Sequence, residues 1–289
     1  YNGIRDAVRA GELASGQAID LLLAALVDEP DEEILAAVLD SAIEFAGVWT
    51  PAGLRMERWD QIAALAGTLL DAASPASDRQ LVTLRAFIQV TRDAGLLADW
   101  LRGHRLPVGR QLDPDLRWAI VTRLMVLGAD SALVDVQLSL DPSATGRDAA
   151  AGARAACPDP SRKQAALERL LGDPDVRVHE LYAIAGQLFH PMHDEVCRPL
   201  VHPWFERIND VAGLRRGWAV GELVARSFPH SPVESATLTA ARQTLGDVHL
   251  HPAVRRALVD GVDRLERQLR AVGPAARAVG STTEAVGPF

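Results

Sequence analysis

Cysteine is scarce in this chain, lysine is nearly absent, and long apolar runs are missing. The two cysteines, Cys157 and Cys197, could close at most one bridge. That excludes a disulfide framework as the source of stability and suits a reducing, cytoplasmic setting. The longest apolar stretch, "LLLAALV" at 21–27, falls far short of the roughly 20 residues needed to cross a bilayer, so no membrane partner is expected. Positive charge is not in excess either. A formal net charge of −8 over 289 residues argues against a nucleic-acid partner, which would show as a basic stripe. The one locally basic stretch, "RRALVDGVDRLERQLR" (255–270), is interrupted by Asp260, Asp263 and Glu266 and reads as the wet face of a helix. Of 30 basic residues only Lys163 is a lysine, a bias that points with the abundant alanine to a high-GC genome and says nothing about function. No signal peptide is visible. Residue 1 is Tyr, so the natural start, with any targeting segment or upstream domain, is expected to lie outside these residues.

What is present is helical periodicity. "DEEILAAVLDSAIEF" (31–45) places Ile34, Leu35, Val38, Leu39, Ala42 and Ile43 at spacings of three and four, with acidic residues at the positive end of the helix dipole. "QAIDLLLAALV" (17–27) repeats the pattern with Ile19, Leu22, Leu23 and Leu26. "DPDLRWAIVTRLMVLG" (113–128) opens on an Asp cap and a first-turn Pro, runs Leu116, Ile120, Leu124 and Leu127 along one stripe, and ends on Gly128 as a C-cap. "HPAVRRALVDGVDRLERQLRAV" (251–272) carries Val254, Leu258, Val262, Leu265, Leu269 and Val272. No alternating strand and no Asn-Gly hairpin appear, and most prolines punctuate the gaps between these segments. The pattern predicts roughly fourteen to sixteen helices joined by short turns. The expected fold is all-α, an irregular HEAT-like α-α superhelix in which stacked antiparallel helix pairs form a curved bowl over residues 1–272. No strict repeat period is visible. Residues 273–289, rich in Gly, Ala and Pro, are expected to form a flexible tail.

The stretch "VHELYAIAGQLFHPMHDEVC" (178–197) holds three of eight histidines and one of two cysteines, and His202 follows. A zincin helix needs His-Glu-x-x-His, two ligands one turn apart with a glutamate to activate water. "HELYA" supplies His179 and Glu180, but Ala183 stands where the second histidine belongs. His190, His193 and Cys197 are spaced to share a helical face, with His202 as a further candidate metal ligand, yet Pro191 places His190 just before that helix starts. Scattered histidines at helix ends are common, and Cys197 reads more simply as a small buried apolar residue. No Gly-x-Gly-x-x-Gly, Walker or Gly-x-Ser-x-Gly motif occurs. The six tryptophans (Trp49, Trp59, Trp100, Trp118, Trp204, Trp218) are dispersed as for core packing rather than gathered in a ligand box. On its residues alone the chain is expected to be catalytically silent and without a cofactor, with His190, His193, Cys197 and His202 as its candidate metal ligands.

Several stretches together resemble the C-terminal helical domain of the M1 family of zinc aminopeptidases in its actinobacterial form. They are "IRDAVRAGELASGQAIDLLLAAL" (4–26), "DPDLRWAIVTRLMVLGA" with "LSLDPSATGRDAAAGARAACP" (113–129, 138–158), "SRKQAALERLL" (161–171), "FHPMHDEVCRPLVHPWFERI" (189–208) and "HPAVRRALVDGVDRLERQLRA" (251–271). The most specific block joins a Leu-Arg-Trp helix to an Asp-Pro-Ser-Ala-Thr-Gly turn. Lys163 stands where that family usually has a lysine, whereas His190 and His193 stand where it commonly has glutamines. The resemblance implies that catalytic zinc belongs to an upstream domain of the same polypeptide, which would remove N-terminal residues from peptide substrates by attack of zinc-polarised water. The present residues would wall the peptide chamber without supplying a catalytic group. Two alternatives remain open on the sequence: a stand-alone helical-repeat module that binds proteins or peptides, and an independent metalloenzyme using His190, His193, Cys197 or His202.

Overall fold

A computed structural model describes the backbone of residues 1–281 and the side chains of residues 1–273. Among the described residues all regular structure is helical, and no helix is long and apolar enough to cross a membrane. The chain divides into two compact units, residues 1–92 with 107–110 and 266 onward, and residues 93–106 with 111–265.

The first unit contains α1 (Asn2–Ala10), α2 (Ser15–Leu26), α3 (Glu32–Val48), α4 (Ala52–Ala72) and α5 (Asp78–Val90). Asp31 caps α3 by accepting hydrogen bonds from the N–H groups of Glu33 and Ile34, two donors that the first turn leaves free. The buried stripe of α3 is Leu35, Val38, Leu39, Ala42, Phe45 and Ala46. It lies one position round from the expected face, so Ile34 is exposed. On α2 the buried positions Ile19, Leu22 and Leu26 follow the predicted pattern.

The second unit runs through α6 (Ala94–Leu101), α7 (Pro114–Val126), α8 (Ala132–Leu140), α9 (Ala144–Ala156), α10 (Pro160–Gly172), α11 (Val178–Leu188) and α12 (Asp194–Arg207). After a 3₁₀ turn at Ile208–Asp210 come α13 (Val211–Leu214), α14 (Trp218–Ser227), α15 (Ser235–Leu245) and the start of α16 (Pro252–Ser281). Asp113 and Asp159 cap α7 and α10, each followed by proline at the first helical position. Gly128, at φ +82°, ends α7 as predicted. The expected tail at 273–289 overlaps the end of α16 and otherwise lies outside the described residues. Pro199 and Pro203 sit inside α12 rather than between helices.

Within each unit helices contact their sequence neighbours and their next-but-one neighbours, as in α7 with α9 and α9 with α11. Stacked helical hairpins produce this pattern. The core around α7 and α9 gathers Trp118, Val121, Met125, Val134, Ala150, Ala153 and Cys157. Small residues let α9 and α11 approach closely: a Cβ on Gly152 would come 3.1 Å from the Ala183 carbonyl oxygen. Further along, Trp204, Phe205 and Phe228 pack edge to face, with centroids 4.9–5.8 Å apart. Phe228 fits against α16 because position 261 is glycine, where a Cβ would meet the ring at 2.4 Å. Five of the six tryptophans are buried as expected, whereas Trp218 is 73% exposed.

Candidate functional site at the histidine-rich turn

α11 ends at Leu188 and α12 begins at Asp194, so His190 and His193 both lie in the turn between them. The turn closes by a 2.9 Å bond from the His193 N–H to the His190 carbonyl, and Pro191 contributes no N–H to it. The ligand face anticipated at 190, 193 and 197 is therefore not built, because only Cys197 and His202 of the four candidates lie in α12. His202 points to solvent and meets Glu206 at 3.1 Å. Among the described residues no group of three or more His, Cys, Asp or Glu side chains is placed to hold a metal ion. The residues at this turn do not fit a zinc centre.

The turn instead surrounds a buried amine. Lys163, fully buried on α10, donates from Nζ to the carbonyls of Gln187 at 2.8 Å and Leu188 at 2.7 Å. These are the last carbonyls of α11, which lack intrahelical partners and carry the negative end of the helix dipole. Cys197 Sγ donates to the same Leu188 oxygen at 3.3 Å. One ammonium and one thiol thus close the helix end that the turn leaves open. Burial lowers the Lys163 amine to about 8, against the opposing influence of the nearby Cys197 and Cys157 sulfurs. Burial also raises the Cys197 thiol. Both cysteines are free and buried.

The two histidines lie near enough to this amine to feel its charge. His193 Nε2 lies 2.9 Å from the Val126 carbonyl oxygen. A carbonyl only accepts, so Nε2 carries the proton and Nδ1, buried without a hydrogen-bond partner among the described residues, does not. The His190 ring stands 5.3 Å from that of His193, and its Nδ1 accepts from the Met192 N–H at 3.2 Å. Arg123, buried on α7, places its guanidinium 3.3 Å from the Met192 sulfur. Burial is the main force keeping the rings neutral, and the cationic Lys163 and Arg123 add to it. His193 falls to about 4, and His190 falls well below the ordinary histidine value. A neutral imidazole offers one donor and one acceptor, the same pair that a glutamine amide presents. The turn therefore holds two polar rings that burial keeps uncharged near neutral pH.

The His-Glu pair of α11 is dispersed too. His179 is exposed in the first turn of α11, edge-on to Tyr182 at 6.4 Å, while Glu180 accepts from Arg169 across to α10. Ala183, where a zincin would carry histidine, lies at the close crossing with Gly152. What sequence reasoning missed is the surface cluster of Tyr182 with Trp218 at 6.1 Å and with the Arg226 guanidinium 4.9 Å above its ring. Gly217, at φ +64° just before α14, is the one local signal of an unusual entry to that helix.

Comparison with known proteins agrees with this geometry. The ERAP1-like C-terminal domain model matches residues 2–267. The chain is also similar to aminopeptidase N of Streptomyces lividans, 28% identical over 273 residues. That alignment covers 92% of this chain and 32% of the Streptomyces protein, so the chain spans about a third of its relative's length.

Proposed function

The chain belongs to the family of ERAP1-like C-terminal domains, and from that premise we propose that it is the non-catalytic C-terminal portion of a zinc aminopeptidase. In this reading the domain walls the chamber in which peptides meet an upstream catalytic domain and restricts which peptides enter. Zinc and the groups that activate water belong to that upstream domain; no step is assigned to residues of this chain. The match through residues 2–267, together with a relative named aminopeptidase N that is about three times longer, carries the reading. The histidine-rich turn supports it, since its polar groups are spent on closing helix ends. Helical stacks suit such a wall because each layer needs only its neighbours for stability.

The test compares the complete polypeptide with a version lacking residues 1–272, using peptides of increasing length with a common N-terminal residue. Loss of the domain is expected to flatten the dependence of kcat/KM on peptide length while dipeptide-sized substrates are still cleaved. An unchanged length profile would sink the proposal. So would aminopeptidase activity in residues 1–289 by themselves, abolished by substitutions at His190 or His193.

A further inference from the structure

The first unit holds a cleft of about 330 Å³ among α1, α2 and α3. Along α3 it is lined by Ile34, Ala37, Val38 and Ser41, positions three or four apart that make one helix face. Tyr1, Asn2 and Arg5 close it from the side of α1. α3 buries its main stripe against its neighbours, yet Ile34 stays 37% exposed and Ala37 is exposed too. Among the described residues, then, no helix lies across this second face. An apolar helix face is stable when another element is packed on it.

A polar group in the same place points the same way. The Nε of Arg5 is buried and has no hydrogen-bond partner among the described residues. Buried donors are rarely left so, because the group loses water and gains nothing in return. Tyr1, at the N-cap of α1, offers the first turn no side-chain acceptor either, so the N–H groups there lack one as well. Position selects what would satisfy these groups. Tyr1 itself lines the cleft, so chain leading into Tyr1 emerges at the mouth of it. A tethered segment is held there at high effective concentration, an advantage that no free partner has. The match to the Streptomyces relative covers 32% of that protein, which leaves about two-thirds of such a polypeptide outside it.

We propose that the residues directly preceding Tyr1 occupy this cleft, resting apolar side chains on Ile34 and Ala37 and giving the Arg5 Nε its acceptor. The inference rests on the reading that a catalytic domain lies upstream, and it makes α1 and α3 the seat on which the connection to that domain is fixed.

Amide hydrogen exchange in the complete polypeptide tests it. The residues before Tyr1 are expected to exchange about tenfold or more below the rate of unstructured chain. Ile34→Asp should abolish that protection, and Arg5→Met, which keeps the bulk and removes the donor, should reduce it. Because Ile34 is already part exposed, Ile34→Asp should leave the melting temperature of residues 1–289 unchanged and lower that of the complete polypeptide. Arg5→Met reports on the seat even if the aspartate disturbs the fold. Fast exchange before Tyr1, or unchanged protection in either folded variant, would overturn the proposal. So would dimers of residues 1–289 that Ile34→Asp dissolves, since the cleft would then belong to a second copy. A reading frame with no residues before Tyr1 would remove both this inference and the chamber reading, whereas fast exchange beside an intact dependence on peptide length would remove this one alone.

Discussion

Trp118 donates its indole N–H to the Asp141 carboxylate at 2.8 Å, joining α7 to the turn that starts α9. The same carboxylate accepts from the Ser143 N–H, and Ser143 in turn caps α9 by accepting from Gly146. These bonds, the Ser143 contacts first and Trp118 second, hold Asp141 below the usual carboxylate range. Glycine is needed at 146 because a Cβ there would lie 2.2 Å from the Asp141 carbonyl oxygen. The Leu-Arg-Trp helix and the Asp-Pro-Ser-Ala-Thr-Gly turn are thus two halves of one joint.

Trp118→Phe should keep the packing and lose the donor, costing about 1 kcal/mol, the scale of a partly exposed hydrogen bond to a charged group. Gly146→Ala should cost more, about 2 kcal/mol or above, since backbone must move. Urea denaturation ranks the two. A Gly146→Ala protein as stable as wild type would show that the close approach to Asp141 is not rigid.

Lys163→Met should destabilise the protein by roughly 1–3 kcal/mol, because a chain of similar shape leaves the Gln187 carbonyl without its donor and the Leu188 carbonyl with only the weak Cys197 thiol. Near-wild-type stability in guanidinium denaturation would mean that another donor reaches those carbonyls.

The pH dependence of stability should carry the mark of His193. Its folded pKa of about 4 lies below the ordinary value of 6.5, so the unfolded chain binds the proton more readily. The stabilisation is fully present above pH 6.5 and is lost as pH falls from there toward 4. From pH 7 to pH 5 that amounts to about 2 kcal/mol. His193→Gln, which preserves an N–H for Val126, should remain folded at neutral pH and lose this share of the acid sensitivity. Equal stability–pH slopes for the two proteins between pH 6.5 and 5 would contradict the assignment.

Completing the zincin pattern by Ala183→His should not create a metal site. At the Gly152 crossing the ring should cost roughly 3 kcal/mol or more through overpacking, read as a lowered melting temperature that added zinc does not restore.

Helix starts were legible because their causes are local. Asp113–Pro114 and Asp159–Pro160 each supply a cap and a preset first turn within two residues, and Gly128 supplies a left-handed stop. The absence of the zincin pairing at Ala183 was legible for the same reason. What local pattern could not reveal depends on partners distant in sequence. Ile34 and Ile43 match the period of α3 as well as Leu35 does, and only the neighbouring helices decide which stripe is buried. Trp218 looks like its five buried counterparts until the Gly217 entry turns it outward beside Tyr182. Pro199 and Pro203 lie within α12, where proline removes a backbone donor, and nothing local in the sequence announces that the helix runs through them. The histidine crowd had the right spacing for one helical face, but α12 starts at Asp194, four residues after His190. The rings' neutrality comes first from burial by elements distant in sequence, and Lys163, thirty residues before His193, and Arg123, farther still, add to it.

Because Lys163 is the one lysine in these 289 residues and is fully buried, reagents that attack side-chain amines have a single slow target here. Modification at that position requires the joint of α10, α11 and α12 to open. Its rate, followed by mass spectrometry in the unaltered protein, is a direct clock for how often that corner of the molecule breathes.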